Sequence, residues 1–432
     1  MPPTQVLNSP CAKAGTTIMR RQAPCLLRRL AIRSTSRGLC SIQHLASANK
    51  FTFGDATLEY EHVEGATDVI DAVHTVVPES QRGSGAAAKL CDALFAHAHA
   101  QSIKVVPTCS YVRDRYVPRH AVSQPYALAS IDTSVRGLQI EVAWHGVATL
   151  RLTDARRRNP LHVALLEGMH RYLSSLAAAP GTDTLGAALV KAHAVHSGHA
   201  EAPAAQPARA TESTSAGPTP VGCVVLESSG PVFSSGHDFG DFAGATRSPA
   251  DVRRVLELCS EVNMLLREIP QASIAAVGGG AYAGGAQLAA SCDLVLANRA
   301  TASFTLTGVH GNGFCHTPAV AYTERLSTHK ALELAILGDT IDADEAARIG
   351  LANRVVAESE WRAHVDEVAA RLAASYGRNI ADGKRTLYQQ AQAPDLRTKY
   401  QIATASMVDM FLSKPWQAHM GRFFQARKKP KL

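Results

Sequence analysis

Apolar and polar residues alternate over FTFGDATLEYEHV (51–63) and again over DVIDAVHTVV (68–77), the period of half-buried β-strands. A glycine-containing turn, a helical stretch and a further strand-like run, IKVVPTCSYV (103–112), complete a compact first unit. Beyond residue 135 the pattern changes to recurring strand–loop–helix units. LQIEVAWHGVATLRLT reads as strand and HVALLEGMHRYLSSLAA as helix, while VGCVVLES, SIAAV and DLVLA read as short, fully buried strands. Such a succession predicts an α/β core whose loops at strand ends build one site. The expected organisation is a leader at 1–47, a first domain at 48–125, a linker at 121–135 and a second domain at 136–432. Residues 179–219, rich in Ala, Pro, Gly, Ser, Thr and His, cannot bury much apolar surface and are expected to form a flexible insertion. No internal repeat is present.

Composition narrows the class. The 432 residues are 46% hydrophobic and 19% charged, which excludes a disordered or fibrous chain. The net charge of +7 is uneven: residues 1–50 hold eight Lys or Arg and no acid, leaving 36 basic residues against 37 acidic ones elsewhere. The folded part therefore offers no case for nucleic-acid binding. An acid-free leader rich in Arg, Ser, Ala and Leu has the composition of a mitochondrial transit peptide, so the matrix is the expected location. A disordered basic tail is the bland alternative, and Pro430-Lys431-Leu432 is close to a peroxisomal signal. The longest uncharged run, 269–292, is dominated by small residues and holds Gly278, Gly279 and Gly280, so it reads as soluble core rather than membrane span. Nine cysteines without Cys-x-x-Cys spacing argue against a disulfide scaffold or zinc site. His193, His196 and His199 lie within the insertion and read as a solvated loop; no metal is expected.

Candidate chemistry sits in two places. In the first unit, His74-Thr75-Val76-Val77-Pro78-Glu79-Ser80-Gln81-Arg82-Gly83-Ser84-Gly85-Ala86-Ala87 sets glycines and an arginine between a strand and a helix. Glycines let a loop approach a phosphate, and the helix aims its free N–H groups at the anion. With Val105-Val106-Pro107-Thr108-Cys109-Ser110-Tyr111 downstream, this segment resembles the small acetyltransferase-like proteins of the GNAT superfamily. The resemblance implies that Arg82, Gly83, Ser84, Gly85 and Ala86 hold the acetyl-CoA pyrophosphate. Ser80 departs from the larger superfamily, which usually has Gln or Arg there. Cys109 and His74 are candidates for acyl transfer, with a structural buried cysteine as the plainer reading.

In the second unit, three motifs occur in order: Phe233-Ser234-Ser235-Gly236-His237-Asp238, the run Gly284-Gly285 through Cys292-Asp293, and the block 331–356. Together they resemble the crotonase, or enoyl-CoA hydratase/isomerase, superfamily. The resemblance implies a ClpP-like ββα superhelix behind a small α+β GNAT-like domain, an α/β protein overall. It assigns an oxyanion hole to the amides of His237 and Gly284, with Ser234, Ser235 and Gly236 on the coenzyme A side. It also implies a homo-trimer or hexamer, with CoA thioesters as substrates or ligands and no tightly bound cofactor.

The expected acids are missing. The positions that match the two hydratase glutamates hold Gln287 and Gly308, neither of which transfers a proton at neutral pH. His316 falls where some isomerases of the superfamily carry an acid, and a histidine hydrogen-bonded in a turn is the competing reading. The expectation is an enzyme of acyl-CoA metabolism that acts on acyl-CoA or enoyl-CoA by isomerase or hydrolase chemistry. The rivals are a non-catalytic acyl-CoA-binding protein and an N-acetyltransferase working through the first domain.

Overall fold

The computed structural model describes residues 41–178, 219–242, 248–376 and 380–427. Most of the expected leader, the insertion apart from its last residue, and Pro430-Lys431-Leu432 lie outside the described residues.

The first unit is a five-stranded sheet in the order β1 (Gln43–Leu45), β2 (Lys50–Phe53), β3 (Ala56–His62), β4 (Val69–Val76) and β5 (Lys104–Val106). β1 to β4 run antiparallel, and β5 joins β4 in parallel. The alternating stretch 51–63 is a hairpin rather than one strand, because Gly54 takes φ +61° and Phe53 pairs with Ala56. Helix α1 (Ala86–Gln101) buries Leu90, Leu94 and Ala98, spaced by four residues, against Leu58, Ile70, Ala72 and Val105 of the sheet. β1 falls inside the expected leader; its three residues, Gln-His-Leu, are all exposed and carry no alternation to announce a strand.

The second unit is built on a seven-stranded sheet. Its strands in chain order are β6 (Leu128–Asp132), β7 (Leu138–Ala143), β8 (Val147–Leu152), β10 (Cys223–Ser228), β13 (Ala272–Val277), β15 (Leu294–Asn298) and β18 (Arg354–Val356), and their spatial order is β18-β15-β13-β10-β8-β7-β6. β6, β7 and β8 form an antiparallel meander, and the rest run parallel. A smaller sheet takes the order β11 (Val232–Ser234), β14 (Gly280–Tyr282), β16 (Ser303–Thr305) and β17 (Ile341–Asp342), and β9 (Pro160–Leu161) pairs with β12 (Gly236–His237). Helices α2 (Val163–Ala178) and α4 (Gly284–Ser291) pack against these sheets, and α3 (Pro249–Glu268) packs against α2 and α4. α3 starts where it does because Ser248 and Asp251 form a reciprocal capping box ahead of Pro249. Helix α5 (His316–Thr323) lies against α4.

The expected linker is not one. Leu128–Asp132 is the edge strand of the large sheet, and just before it Val105 donates its N–H to Tyr126 O at 2.8 Å and bridges Ala127. The five-stranded sheet thus continues into the seven-stranded one. Trp144, on the β7–β8 turn, is buried in the core of the first unit, while Val63, Val69 and Val106 share a core with Val147, Val225, Ile274 and Val365. In the sequence this joining strand is masked by the turn-rich 121–126 before it and by Thr133-Ser134 after it.

Polar groups cross the same junction. Arg151 on β8 pairs with Asp68 at 2.7 Å, Glu227 at 2.8 Å and Glu141 at 3.1 Å, and Glu227 also pairs with Arg362 at 2.7 Å. Burial would raise the Glu227 carboxyl, but Arg362 and Arg151 outweigh it and hold the group below its ordinary value. Burial wins at Glu141, whose carboxyl is raised despite Arg151. The stability from Glu227 is therefore complete above pH 4.5, its unperturbed value, and is lost as pH falls through the lower folded value. Glu141 acts in the opposite sense, its share being lost as pH rises. Replacing Arg151 with Met leaves the buried Glu141 without its cationic partner and Glu227 with Arg362 alone, and is expected to cost about 3 kcal/mol in denaturant unfolding at pH 7. Asp68→Asn, at the more exposed arm, is expected to cost under about 1 kcal/mol.

Candidate functional site

The second-unit site begins with a left-handed pair. Arg158 and Asn159 take φ +65° and +51°, and the buried Asn159 side chain donates to Ser229 O at 2.9 Å and Val232 O at 2.7 Å. That clamps the start of β9 beside the β10–β11 turn. Ser234 Oγ then donates to Asn159 O at 2.8 Å and accepts from the Gly236 amide at 3.2 Å, while the Ser235 amide donates to Arg158 O at 2.9 Å. Ser234 is completely buried. Its hydroxyl is engaged inside the loop, which it ties to Asn159. The sequence signal for Asn159 is an Asn directly before Pro, tolerant of positive φ.

The Asp238 amide donates to Leu161 O at 3.2 Å, towards β9. Successive strand amides point to opposite sides, so the His237 N–H is directed away from β9, towards α4. There the two backbones nearly touch. A Cβ on Gly236, whose φ is +87°, would lie 3.0 Å from the Gly284 nitrogen. The corresponding point on Gly284 lies 3.5 Å from the His237 nitrogen, and on Gly285 it lies 2.5 Å from Ser234 O. Gly284 opens α4 with no side-chain cap, so its amide belongs to a first turn that lacks intrahelical acceptors. The residue before it, Ala283, holds φ +46° and ψ −114°, a conformation suited to glycine. No sequence signal marked that strain, because alanine is the residue present. A carbonyl oxygen set between the amides of His237 and Gly284 would meet two fixed donors.

The flanking side chains are neutral or tied down. Gln287 on α4 is 4% exposed, and its Oε1 has no hydrogen-bond partner among the described residues. At Gly308 a Cβ would lie 2.6 Å from the Cys315 nitrogen, so no carboxylate fits there without moving backbone. His316 is exposed at the start of α5, its ring 5.0 Å from that of Phe314. Asp238 accepts from Arg157 at 2.6 Å and from the Gly240 amide at 3.0 Å. The Arg157 hydrogen bond is the main cause holding the Asp238 carboxyl below its usual value. Asp241 accepts from the Val163 amide at the start of α2 at 3.0 Å.

In the first unit, Gly83 and Gly85 take φ +80° and +78° with open space where a Cβ would stand. Gly85 caps α1 without any side-chain bond, and the first turn carries no acid. The amides of Arg82 and Ser84 donate to Glu79 O and Gln81 O, both at 3.2 Å, so the loop's remaining donors are those of Gly83, Gly85 and Ala86. The Arg82 side chain is turned to Glu79 at 3.5 Å and is exposed. β4 extends to Val76, whereas its pairing with β5 ends at Asp71–Val106. Where the strands part, Cys109 donates its amide to Ala72 O at 2.7 Å, and its Sγ lies 3.4 Å from Thr75 Oγ1. Its side-chain neighbour is thus Thr75, while His74 points to the other face of β4 and is exposed.

Known proteins match both regions. A family model described as enoyl-CoA hydratase/isomerase matches residues 214–431. One described as GCN5-related N-acetyl-transferase matches residues 51–126. Over 205 residues the chain is 38% identical to enoyl-CoA hydratase domain-containing protein 3, mitochondrial, of Rattus norvegicus, covering 48% of this chain and 67% of that one. The Homo sapiens protein of the same name is 36% identical with the same coverage. The crystal structure of human enoyl Coenzyme A hydratase domain-containing protein 3 superposes with a TM-score of 0.55 at 28% identity, covering 69% of this chain and 100% of that one. With a matching model over half of its length and homologues aligned over two thirds of theirs, the chain belongs to the enoyl-CoA hydratase/isomerase family.

Proposed function

We propose that the protein acts on acyl-CoA or enoyl-CoA thioesters, the amides of His237 and Gly284 holding the thioester oxygen as it gains negative charge. The observation that carries this reading is the close backbone approach at Gly236, Gly284 and Gly285, which brings the amides of His237 and Gly284 to one place. Isomerase or hydrolase chemistry is favoured over hydration, since Gln287 and Gly308 stand where water activation needs carboxylates. The same substitution favours a second reading, a thioester-binding protein without turnover.

A panel of acyl-CoA and enoyl-CoA thioesters tests the choice. Hydration of crotonyl-CoA is expected to be feeble, because each missing acid–base group typically removes about 10²–10⁴-fold in rate. Hydration at the rate of an ordinary family hydratase would overturn the preference, and binding without any turnover would select the second reading. Gly284→Val is expected to abolish thioester binding in calorimetry while the far-ultraviolet circular dichroism stays near that of wild type, the new side chain meeting His237 and Gly236. Wild-type binding by this variant would place the oxyanion hole elsewhere.

The first unit is proposed to hold acetyl-CoA, its pyrophosphate on the amides of Gly83, Gly85 and the first turn of α1. In the full chain, Gly83→Asp is expected to remove one class of acetyl-CoA site and to leave turnover at the second unit unchanged. Identical titrations of variant and wild type would sink the loop assignment. A mitochondrial location is supported by the acid-free leader and by the names of the relatives. A trimer or hexamer is supported by exposed Leu396, Tyr400, Met407 and Leu412 on the helix Leu396–Leu412.

A further inference from the structure

His237 offers the site more than its amide. Its ring carbon Cδ2 lies 3.3 Å from the point a Cβ on Gly284 would take, so one edge of the imidazole stands directly beside the amide pair. The ring packs edge-on against Phe242, with centroids 5.4 Å apart. Both ring nitrogens are enclosed, and neither has a hydrogen-bond partner among the described residues. A histidine kept for packing alone would ordinarily find a partner for at least one of them, and an orphaned pair beside a ligand seat calls for an explanation. The nearby acids are already committed: Asp241 accepts from the Val163 amide, and Asp238 is held by Arg157.

We propose that the His237 imidazole is the proton-transfer group of this site, taking over the function that Gln287 and Gly308 cannot perform. The proposal rests on the thioester reading and adds a base to it. In the step, the α C–H bond of the bound thioester breaks and its electron pair becomes the carbon–carbon double bond of an enolate. The carbonyl π pair moves onto the oxygen held by the amides of His237 and Gly284. The proton passes to the free ring nitrogen, giving an imidazolium. Its return to the α-carbon completes an exchange. Its delivery to the γ-carbon of a β,γ-enoyl chain instead shifts the double bond into conjugation with the thioester. Either way the ring ends neutral, and no further reactant is needed.

The surroundings suit a base. Burial lowers the imidazole below its ordinary value, with Asp241 partly opposing, so the ring is neutral at pH 7. The other charged or titratable groups about it among the described residues are Asp238 with its partner Arg157, and His162 at the end of β9; α4 carries none. His316, the sequence candidate, is exposed at the start of α5 and lacks this enclosure.

The test measures α-proton exchange of butyryl-CoA in D₂O by the full chain, with binding of the same thioester followed by calorimetry. His237→Gln and His237→Ala both keep the backbone amide. Exchange is expected to fall by about 10²–10⁴-fold in each, with affinity within about threefold of wild type. His316→Ala is expected to exchange as wild type does. The wild-type rate should rise with pH through a value below 6.5 and then level, following the neutral imidazole. Unchanged exchange in both His237 variants overturns the proposal, as does loss of binding together with exchange, which would mark His237 as structural. Binding by wild type without exchange also overturns it while leaving the amide pair intact. No binding by wild type removes the thioester reading and this proposal together.

Discussion

The site depends on one steric constraint: two backbones, at Ser234–His237 and at Gly284–Gly285, meet so closely that a Cβ at Gly285 would collide with the Ser234 carbonyl and one at Gly236 would press on the Gly284 nitrogen. Glycine at three of these positions lets the first turn of α4 come within reach of the loop, and the Ser234 hydroxyl then locks the loop to Asn159. Ala283 accepts an unfavourable backbone conformation so that the β14 strand can turn directly into α4. Without that turn Gly284 could not present an uncapped amide beside His237. Short strands β9, β11, β12 and β14 serve mainly to hold the contact in place.

Around this contact the site carries little free charge. Gln287 is buried and neutral, the Gly308 position is walled off by the Phe314–Cys315 backbone, and Asp238 and Asp241 are engaged with Arg157 and the start of α2. In so neutral an enclosure an oxyanion would gain much from two fixed dipoles, because few competing charges screen them. Such a site suits chemistry in which substrate charge appears transiently and disappears, more than chemistry that must ionise a water.

The first unit is joined to this body through backbone and core. The Val105–Ala127 bridge extends one sheet into the next, Trp144 fills the neighbouring core, and Arg151 draws Asp68, Glu141 and Glu227 to one point. A paired and hydrogen-bonded cluster of this kind favours one arrangement strongly, since any shift leaves a buried charge without its counterion. Changes in the Gly83–Gly85 loop at the far end of β4 are thus made on a scaffold continuous with the second unit.

What the sequence determined by itself is local and periodic. The alternation at 68–77, the apolar runs of the parallel strands, and the glycine clusters at 83–85 and 278–285 announced strands, turns and two ligand-loop candidates, because those signals arise from residues near one another in the chain. The ordered motifs also pointed to the family and to the pairing of His237 with Gly284. Tertiary structure decided the rest. That Leu128–Asp132 is an edge strand, that Gln43–Leu45 pairs at all, and that Ser234 faces inward depend on partners far along the chain. The side chain of His237 carries the same lesson: its residue type is visible in the sequence, but its enclosure beside Gly284, some 47 positions away, exists only once α4 has packed against the loop.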